Sequence, residues 1–523
     1  MKFSLSSFGC TMNQGEGEIF RRRLISAGHV QIDHHGQTRN DGTDVNILFT
    51  CIVIQETERR MLKMVQELSQ NGIPLIVAGC LATTLPDRVR EIAPDTLLIP
   101  PRDLVSMDIG EIEQWVEKRT NTYPSSPPPT SPSDDSIPDP SLHDSIPDFP
   151  PDPFVPASPQ DPSVPASPQD PSDPAPPQDP SEPSPGDILQ KIELESPTPG
   201  SPPDQMPHWL SWYNENEIFS SHTQNSSIED RTTFILPISQ GCLGNCAYCL
   251  TKHARGTLSS YDPEDIRSMA QKAIAQGRTE IQITSQDTAI YGRDIAAGTT
   301  SLPSLLDSIS AIEGDFRIRV GMMNPTWMLP ILPELIRSYR LDKVYSFLHM
   351  PIQSGDDAIL KAMRRGYTVD DVRRIISAFR AEIPDLTLST DIITGFPGED
   401  DRSFDRTMAI IEELSPDIVN ITRYSERPGT EAVGMSNKVH GRISKERSRR
   451  LTELRFRISA RKNASLIGKH LVVLVTERGK GETVISRDEN YRSIVIKSTL
   501  PPGTWHTVEI IGSTDVYLIG KKI

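Results

Sequence analysis

Three cysteines near the middle of the chain have the spacing of a metal centre. Cys242, Cys246 and Cys249 form a C-x3-C-x2-C pattern within the segment GCLGNCAYCL. Three thiolates this close can bind three irons of a [4Fe–4S] cluster, whose usual ligand set is four Cys, and the fourth iron then stays open. The alternative is zinc with His253 as a fourth ligand, because structural zinc takes four protein ligands. The spacing favours the iron–sulfur centre.

The other three cysteines are far apart in sequence but share a local context. Cys10, Cys51 and Cys80 each follow a short apolar run, in the segments GCTMN, TCIVIQETER and AGCLA. The carboxyl ends of adjacent parallel strands form a common crevice, so three thiols placed there can converge on one group. The alternative is three independent buried thiols, since Cys is commonly buried. The spacings of 41 and 29 residues match no local metal motif, but the shared placement favours convergence of the three thiols on one group.

The elements that must position these thiols follow an α/β pattern. Residues 1–118 alternate strands, predicted at Lys2–Phe8, Val45–Phe49 and Pro74–Ala78, with amphipathic helices, predicted at Gln14–Ala27 and Gln55–Gln70. This alternation indicates an open domain with a parallel sheet.

Residues 228–464 contain six βα units, which indicates a partial (β/α)6 barrel rather than a closed one of eight. Their strands are predicted at Phe234–Ile238, Glu280–Thr284, Phe316–Val320, Val344–Leu348, Leu386–Ile392 and Ile418–Ile421. A basic amphipathic helix is predicted at 438–462, where ten Lys and Arg accompany two Glu. Its charges could contact phosphates or form a solvated face against the barrel. Residues 465–523 are β-rich and predict a small β-barrel.

Residues 119–227 separate the two α/β regions and have a different composition. They hold 28 of the 46 prolines and repeat a nine-residue unit such as DPSVPASPQ. Such a segment cannot bury enough apolar surface to offset chain entropy, so we predict a disordered, extended linker. A docking segment for a partner is the alternative.

The net charge of −16 is confined almost entirely to this linker, which holds 17 acidic and two basic residues. The remaining chain is nearly neutral, so acidity does not exclude a nucleic-acid partner. No apolar run reaches the roughly 18 residues that cross a bilayer, and a signal-peptide pattern is lacking. We therefore expect a cytoplasmic protein without a membrane partner, in which the six cysteines stay reduced.

The second trio, with Tyr248 before its last cysteine and a position after a barrel strand, resembles the radical S-adenosylmethionine (SAM) superfamily. This resemblance implies that Cys242, Cys246 and Cys249 bind the cluster that cleaves SAM. Further positions resemble those near the bound SAM: Tyr248, Ser285, Gln286, Gln353, Ser354 and Asp391. The superfamily's usual GGE-like triplet is replaced here by Ser-Gln-Asp at 285–287.

The segments around the first trio resemble the N-terminal domain of the methylthiotransferases. Residues Ile238–Tyr261 (ISQGCLGNCAYCLTKHARGTLSSY) resemble the archaeal and eukaryotic branch that acts on threonylcarbamoyladenosine in tRNA. The family implies an auxiliary cluster on Cys10, Cys51 and Cys80 that presents sulfur, and a C-terminal RNA-binding TRAM domain. Phe49 stands where many members have Asn.

The resemblance also implies the reaction and its partners. Two [4Fe–4S] clusters and SAM would methylthiolate C2 of an adenosine in the anticodon loop of tRNA, with a flavodoxin- or ferredoxin-type electron donor and a sulfur donor. Lys252, His253 and Arg255 could meet the carboxylate of the threonylcarbamoyl group, or could simply pack around the cluster loop. The alternatives are isopentenyladenosine in tRNA, an aspartate of a ribosomal protein, or a non-catalytic iron–sulfur protein that binds RNA.

Deleting residues 125–205 should leave methylthiolation of purified tRNA near the level of the full chain. The segment has linker composition, and the length of a flexible loop changes its closure entropy only slowly. The measurement is turnover of the deletion variant beside the full chain, and a large loss of turnover would contradict the linker assignment.

Overall fold

The computed structural model describes residues 1–32, 42–52, 55–104, 107–120, 232–295 and 300–523. The predicted linker lies outside this part of the chain except for Arg119 and Thr120, which end a helix. None of the helices described is long and apolar enough to span a membrane.

The N-terminal domain is a five-stranded parallel sheet with the order β2-β1-β3-β4-β5. Its strands are β1 Lys2–Ser7, β2 Val30–Gln31, β3 Val45–Thr50, β4 Leu75–Gly79 and β5 Leu97–Ile99. Its helices are α1 Thr11–Ser26, α2 Gln55–Ser69, α3 Cys80–Thr84, α4 Pro86–Ile92 and α5 Ile109–Thr120. The three predicted strands and both predicted helices are present, and β1, β3 and β4 are neighbours in the sheet.

The middle domain contains the six predicted barrel strands. They are β6 Thr233–Pro237, β9 Glu280–Thr284, β10 Arg317–Val320, β11 Phe347–His349, β12 Thr387–Thr394 and β13 Ile418–Arg423. A two-stranded ribbon of β7 Ser239–Gln240 and β8 Ser259–Ser260 flanks the second cysteine trio. The helices are α6 Thr251–Arg255, α7 Pro263–Ala275, α8 Leu302–Ser310, α9 Pro325–Met328, α10 Leu332–Tyr339, α11 Asp357–Ala362, α12 Val369–Glu382, α13 Asp401–Leu414 and α14 Gly441–Ala464.

The six strands form two parallel three-stranded sheets, β6-β9-β10 and β11-β12-β13. A single bridge between Ile318 and Val344 joins them. The strands contain buried apolar residues, and these pack against the surrounding helices in one large core. The architecture is therefore the predicted partial barrel.

The C-terminal domain is a closed barrel with the strand order β14-β15-β16-β18-β17. These strands are β14 His470–Arg478, β15 Thr483–Asp488, β16 Ser493–Lys497, β17 Trp505–Ser513 and β18 Leu518–Lys522. Inward-facing Val, Ile and Leu side chains fill its small core.

One turn of the C-terminal barrel packs against the amino-terminal ends of the middle-domain strands. Tyr491, in the turn between β15 and β16, has its ring 4.8 Å from Tyr345 and 5.0 Å from Phe347. The Ser346 amide donates to the Glu489 carbonyl at 2.9 Å. The C-terminal barrel therefore covers the end of the partial barrel opposite the cysteine loops.

Replacing Tyr491 with Ala should lower the free energy of unfolding by about 3 kcal/mol, because a large aromatic contact is lost at the domain boundary. Tyr491→Phe is the matched control: it keeps the ring and loses only the hydroxyl, which accepts a 3.3 Å hydrogen bond from Gln282. Denaturant unfolding of both variants checks this. Equal loss in the two would show that the hydroxyl, not the ring, holds the turn.

Candidate active site

The first cysteine trio lies at the carboxyl ends of three adjacent strands. Cys10 precedes α1, Cys51 follows β3 and Cys80 begins α3. Cys10 forms a hydrogen bond with Cys51, and the charge of Cys51 also acts on Cys80. In a sheet with the order 2-1-3-4-5 the strand order reverses between β1 and β3. The carboxyl ends of these two strands form the topological switch point, where ligands bind. The structure thus brings the three predicted thiols together.

Gly9 is required for this convergence. It has φ +104°, and a Cβ at this position would lie 2.1 Å from the Cys51 Cβ and 2.7 Å from its Sγ. A side chain there would displace Cys51 and strain the backbone. The glycine before Cys10 therefore allows two of the thiols to meet.

The second trio lies in a loop held by main-chain hydrogen bonds. The Cys242 amide donates to the Gly256 carbonyl at 3.2 Å, and the Ala247 amide donates to the Met363 carbonyl at 3.1 Å. The Cys242 and Cys246 sulfurs flank Gly244, at 3.3 and 3.8 Å from the position its Cβ would take. The loop thus presents closely spaced thiols above the barrel strands.

Arg365 is a buried contact of this trio that the sequence analysis missed. Its Nη1 lies 3.3 Å from the Cys246 Sγ and 3.5 Å from the Tyr248 hydroxyl. Its Nη2 donates to the Pro351 carbonyl at 3.0 Å, and its Nε donates to the Tyr367 hydroxyl at 3.0 Å. These contacts fix a positive charge beside the Cys246 sulfur.

Most of the thiols resist ionisation without a metal. Burial raises the pKa of Cys80 to about 11, and burial followed by the charge of Asp287 raises the pKa of Cys242 to about 12. Burial also raises the pKa of Cys249. Metal binding deprotonates such thiols. His253, the fourth ligand of the zinc alternative, is exposed.

Unpaired acceptors lie at two of the predicted SAM positions and at the neighbouring Asp287, whose charge acts on Cys242. The Oε1 atoms of Gln286 and Gln353 and the Oδ2 of Asp287 are buried and without a hydrogen-bond partner among the residues described. Buried acceptors are costly when unsatisfied, so they suit a ligand that brings donors, such as the ammonium group of SAM. Asp287, the third residue of the Ser-Gln-Asp triplet, is an addition to the predicted set, and burial raises its pKa to about 6.

The remaining predicted SAM contacts have protein partners. Ser285 accepts from the Asp287 amide at 3.1 Å, and Ser354 accepts from the Asp356 amide at 3.3 Å. Asp391 accepts from Asn420 at 2.8 Å and pairs with His349 at 3.1 Å. Although burial alone would raise it, these contacts hold the pKa of Asp391 below its ordinary value. The three side chains are positioned by the fold, and their contacts with SAM stay predictions.

The three predicted substrate cations are separated by α6. His253 is exposed and Lys252 is half-buried. Arg255 is only 2% exposed and forms a bidentate ion pair with Glu16 of α1, at 2.5 and 2.8 Å. A buried guanidinium paired in this way cannot reach a carboxylate on an external substrate. The prediction for Arg255 is corrected accordingly, and Lys252 and His253 remain candidates.

A second buried arginine joins the same two domains. Arg427, in the loop after β13, pairs with Glu58 of α2 and donates to the Ile52 carbonyl at 2.6 Å. Ile52 directly follows Cys51. Arg255 and Arg427 therefore both engage segments next to cysteines of the first trio.

The basic helix α14 uses many of its charges internally. Arg447 pairs with Glu399 at 2.8 Å, and Lys462 pairs with Asp417 at 2.6 Å. Arg449 and Arg450 also pair with carboxylates. The structure thus favours the alternative of a helix packed against the barrel. The exposed cations left for phosphate contacts are Arg442, Lys445, Arg457 and Arg461.

Comparisons with known proteins agree with this site. Residues 236–411 match the radical SAM superfamily, and residues 2–99 match a family described as uncharacterized protein family UPF0004. Together with the full-length relatives described next, the first match defines the class: this is a radical SAM enzyme, which uses SAM and [4Fe–4S] clusters.

Two archaeal relatives span almost the whole chain, and both are named probable threonylcarbamoyladenosine tRNA methylthiotransferase. The relative from Archaeoglobus fulgidus is 46% identical, over 100% of this chain and 98% of its own length. The relative from Pyrococcus abyssi is 34% identical, over 100% and 99%. A human threonylcarbamoyladenosine tRNA methylthiotransferase is 36% identical over 55% of this chain and 48% of its own length. The chain belongs to the threonylcarbamoyladenosine tRNA methylthiotransferase family.

Replacing Cys242, Cys246 and Cys249 with Ala should reduce the iron content from about eight to about four per chain, the content of one [4Fe–4S] cluster. The first trio is on another domain and keeps its own ligands. Anaerobic iron and sulfide analysis measures this. Retention of about eight irons would contradict the assignment of the second trio.

Proposed function

We propose that this enzyme converts N6-threonylcarbamoyladenosine next to the tRNA anticodon to its 2-methylthio derivative. The observation that carries the proposal is that each of two neighbouring domains contains one cysteine trio. Buried ion pairs join the two domains. Relatives of matching length that are named for this substrate support it over isopentenyladenosine or a ribosomal-protein aspartate.

Each trio would hold one cluster. Cys242, Cys246 and Cys249 leave one iron open, which suits SAM, while Cys10, Cys51 and Cys80 would hold the auxiliary cluster. When bound, these groups supply the 5′-deoxyadenosyl radical, the sulfur atom and the methyl group. The chain itself positions them and excludes water.

The side chains beside the second trio would orient SAM. Gln286, Asp287 and Gln353 have buried acceptors without a partner among the described residues, and these would accept from its ammonium group. Tyr248 packs edge-on against Phe396, with 6.3 Å between the ring centroids, and this contact fixes the Tyr248 ring next to Cys249. Arg365 holds the Cys246 side of the loop at 3.3 Å. These contacts would keep the reacting groups in one geometry.

The tRNA would approach the exposed side of α6. Lys252 and His253 would meet the threonylcarbamoyl carboxylate, and an anticodon-loop base can be splayed out for the reaction. The TRAM-like barrel and the exposed cations of α14 would contact the RNA backbone. A flavodoxin- or ferredoxin-type protein would supply electrons, a separate donor would supply sulfur, and the enzyme would act in the cytoplasm.

Substitutions in the two trios should abolish different products. Cys242→Ala removes the site of SAM cleavage, so 5′-deoxyadenosine and methylthiolated tRNA should both vanish. Cys51→Ala should abolish the product while some 5′-deoxyadenosine still forms, because the other cluster is intact. Chromatography of the small molecules and mass spectrometry of tRNA nucleosides measure both.

Circular dichroism and iron content on the same samples control for misfolding. Near wild-type methylthiolation by Cys51→Ala would contradict the role of the first trio in sulfur transfer. Absence of 5′-deoxyadenosine from the wild-type enzyme given SAM and a reductant would instead support a non-catalytic iron–sulfur protein.

A further inference from the structure

We propose that the buried Arg255–Glu16 ion pair sets the reduction potential of the auxiliary cluster, with Arg255 raising the potential and Glu16 lowering it. Both residues would act through the cluster, and neither would touch the substrate or the reacting atoms. The inference rests on the proposed assignment of Cys10, Cys51 and Cys80 to that cluster.

The pair lies at the first trio although Arg255 belongs to the other domain. Arg255 ends α6, the five-residue helix that begins two residues after Cys249. Leu250 and Ala254 pack in one buried cluster with Cys80 and Leu81. The helix therefore joins the loop of one trio to the start of α3, which carries a cysteine of the other.

Both charges act on the thiols of the first trio. Arg255 interacts electrostatically with Cys10 and Cys80 and forms a hydrogen bond with Cys80, while the Glu16 carboxylate acts on Cys80 with opposite sign. The side chains are 1% and 10% exposed, so water screens them weakly. Hydrogen bonds to the sulfurs and local charge are what tune iron–sulfur potentials.

The two halves of the pair must act in opposite directions. Reduction adds negative charge to a cluster, so a nearby cation stabilises the reduced form and a nearby anion destabilises it. Removing Arg255 should therefore lower the potential, and removing Glu16 should raise it. A role confined to domain packing would not give opposite signs, since loss of either partner would only weaken the contact.

The test uses the full chain with Cys242, Cys246 and Cys249 all replaced by Ala, so that the auxiliary cluster is the one observed. Iron analysis first establishes about four irons per chain. Anaerobic potentiometric titration, followed by electron paramagnetic resonance, then compares this parent with Arg255→Gln, Glu16→Gln and the double variant. Each single substitution should change the reduction equilibrium at least tenfold, about 59 mV for one electron, and the double variant should lie near the parent.

Arg255→Lys keeps the charge and should stay closer to the parent than Arg255→Gln, which keeps the test usable if the latter folds poorly. Arg427→Gln and Glu58→Gln are the matched controls, because they break the other buried inter-domain pair. Shifts of the same sign for Arg255→Gln and Glu16→Gln, or equally large opposite shifts in the controls, would overturn the inference. A parent without four irons would instead contradict the proposed cluster assignment.

Discussion

The contact between α1 and β6 is the constraint on which the arrangement of both cysteine trios depends. Gly15 lets the helix approach the strand so closely that a Cβ there would lie 2.9 Å from Ile235 Cγ2. Gly17 makes a similar approach to Ser7 in its own sheet, and Glu16 between them reaches Arg255. One short GEGE segment therefore packs against two domains at once. Because a buried guanidinium needs its carboxylate, the pair tolerates little displacement of one domain against the other.

This constraint explains how six thiols from two domains can serve one reaction. The first trio occupies the switch point of an open sheet, where strand ends diverge and leave room for a ligand. The second lies in a loop whose amides are fixed by Gly256 and Met363. Arg255, Arg427 and the packing of α6 on α3 hold both loops in place. Buried ion pairs therefore define an orientation of the two loops that apolar packing alone could not define.

The strands and most helices could be predicted because their signal is local. Glu280–Thr284 is a strand with the predicted bounds, since its two isoleucines alternate with polar residues at the period of a strand. The predicted strand Val344–Leu348 begins later, at Phe347, because Tyr345 and Ser346 contact the turn that carries Tyr491. Helix α1 begins before Gln14 because Cys10 is its N-cap.

The cysteines converge as their strand-end positions predicted. Arg255 was misassigned and Arg365 was missed because their partners, Glu16 and Cys246, lie 239 and 119 residues away, beyond any local pattern.

The turn around Tyr491 limits how the C-terminal barrel can change over evolution. Such small barrels are usually regarded as modules that can be gained, lost or exchanged between proteins. Here the barrel supplies a ring that completes the aromatic packing of Tyr345 and Phe347 in another domain. A substitute module would have to bring an equivalent ring to the same place, and a chain that ended before residue 466 would expose those side chains to water. Sequence change at Tyr491 is therefore coupled, across a domain boundary, to change at the two residues it covers.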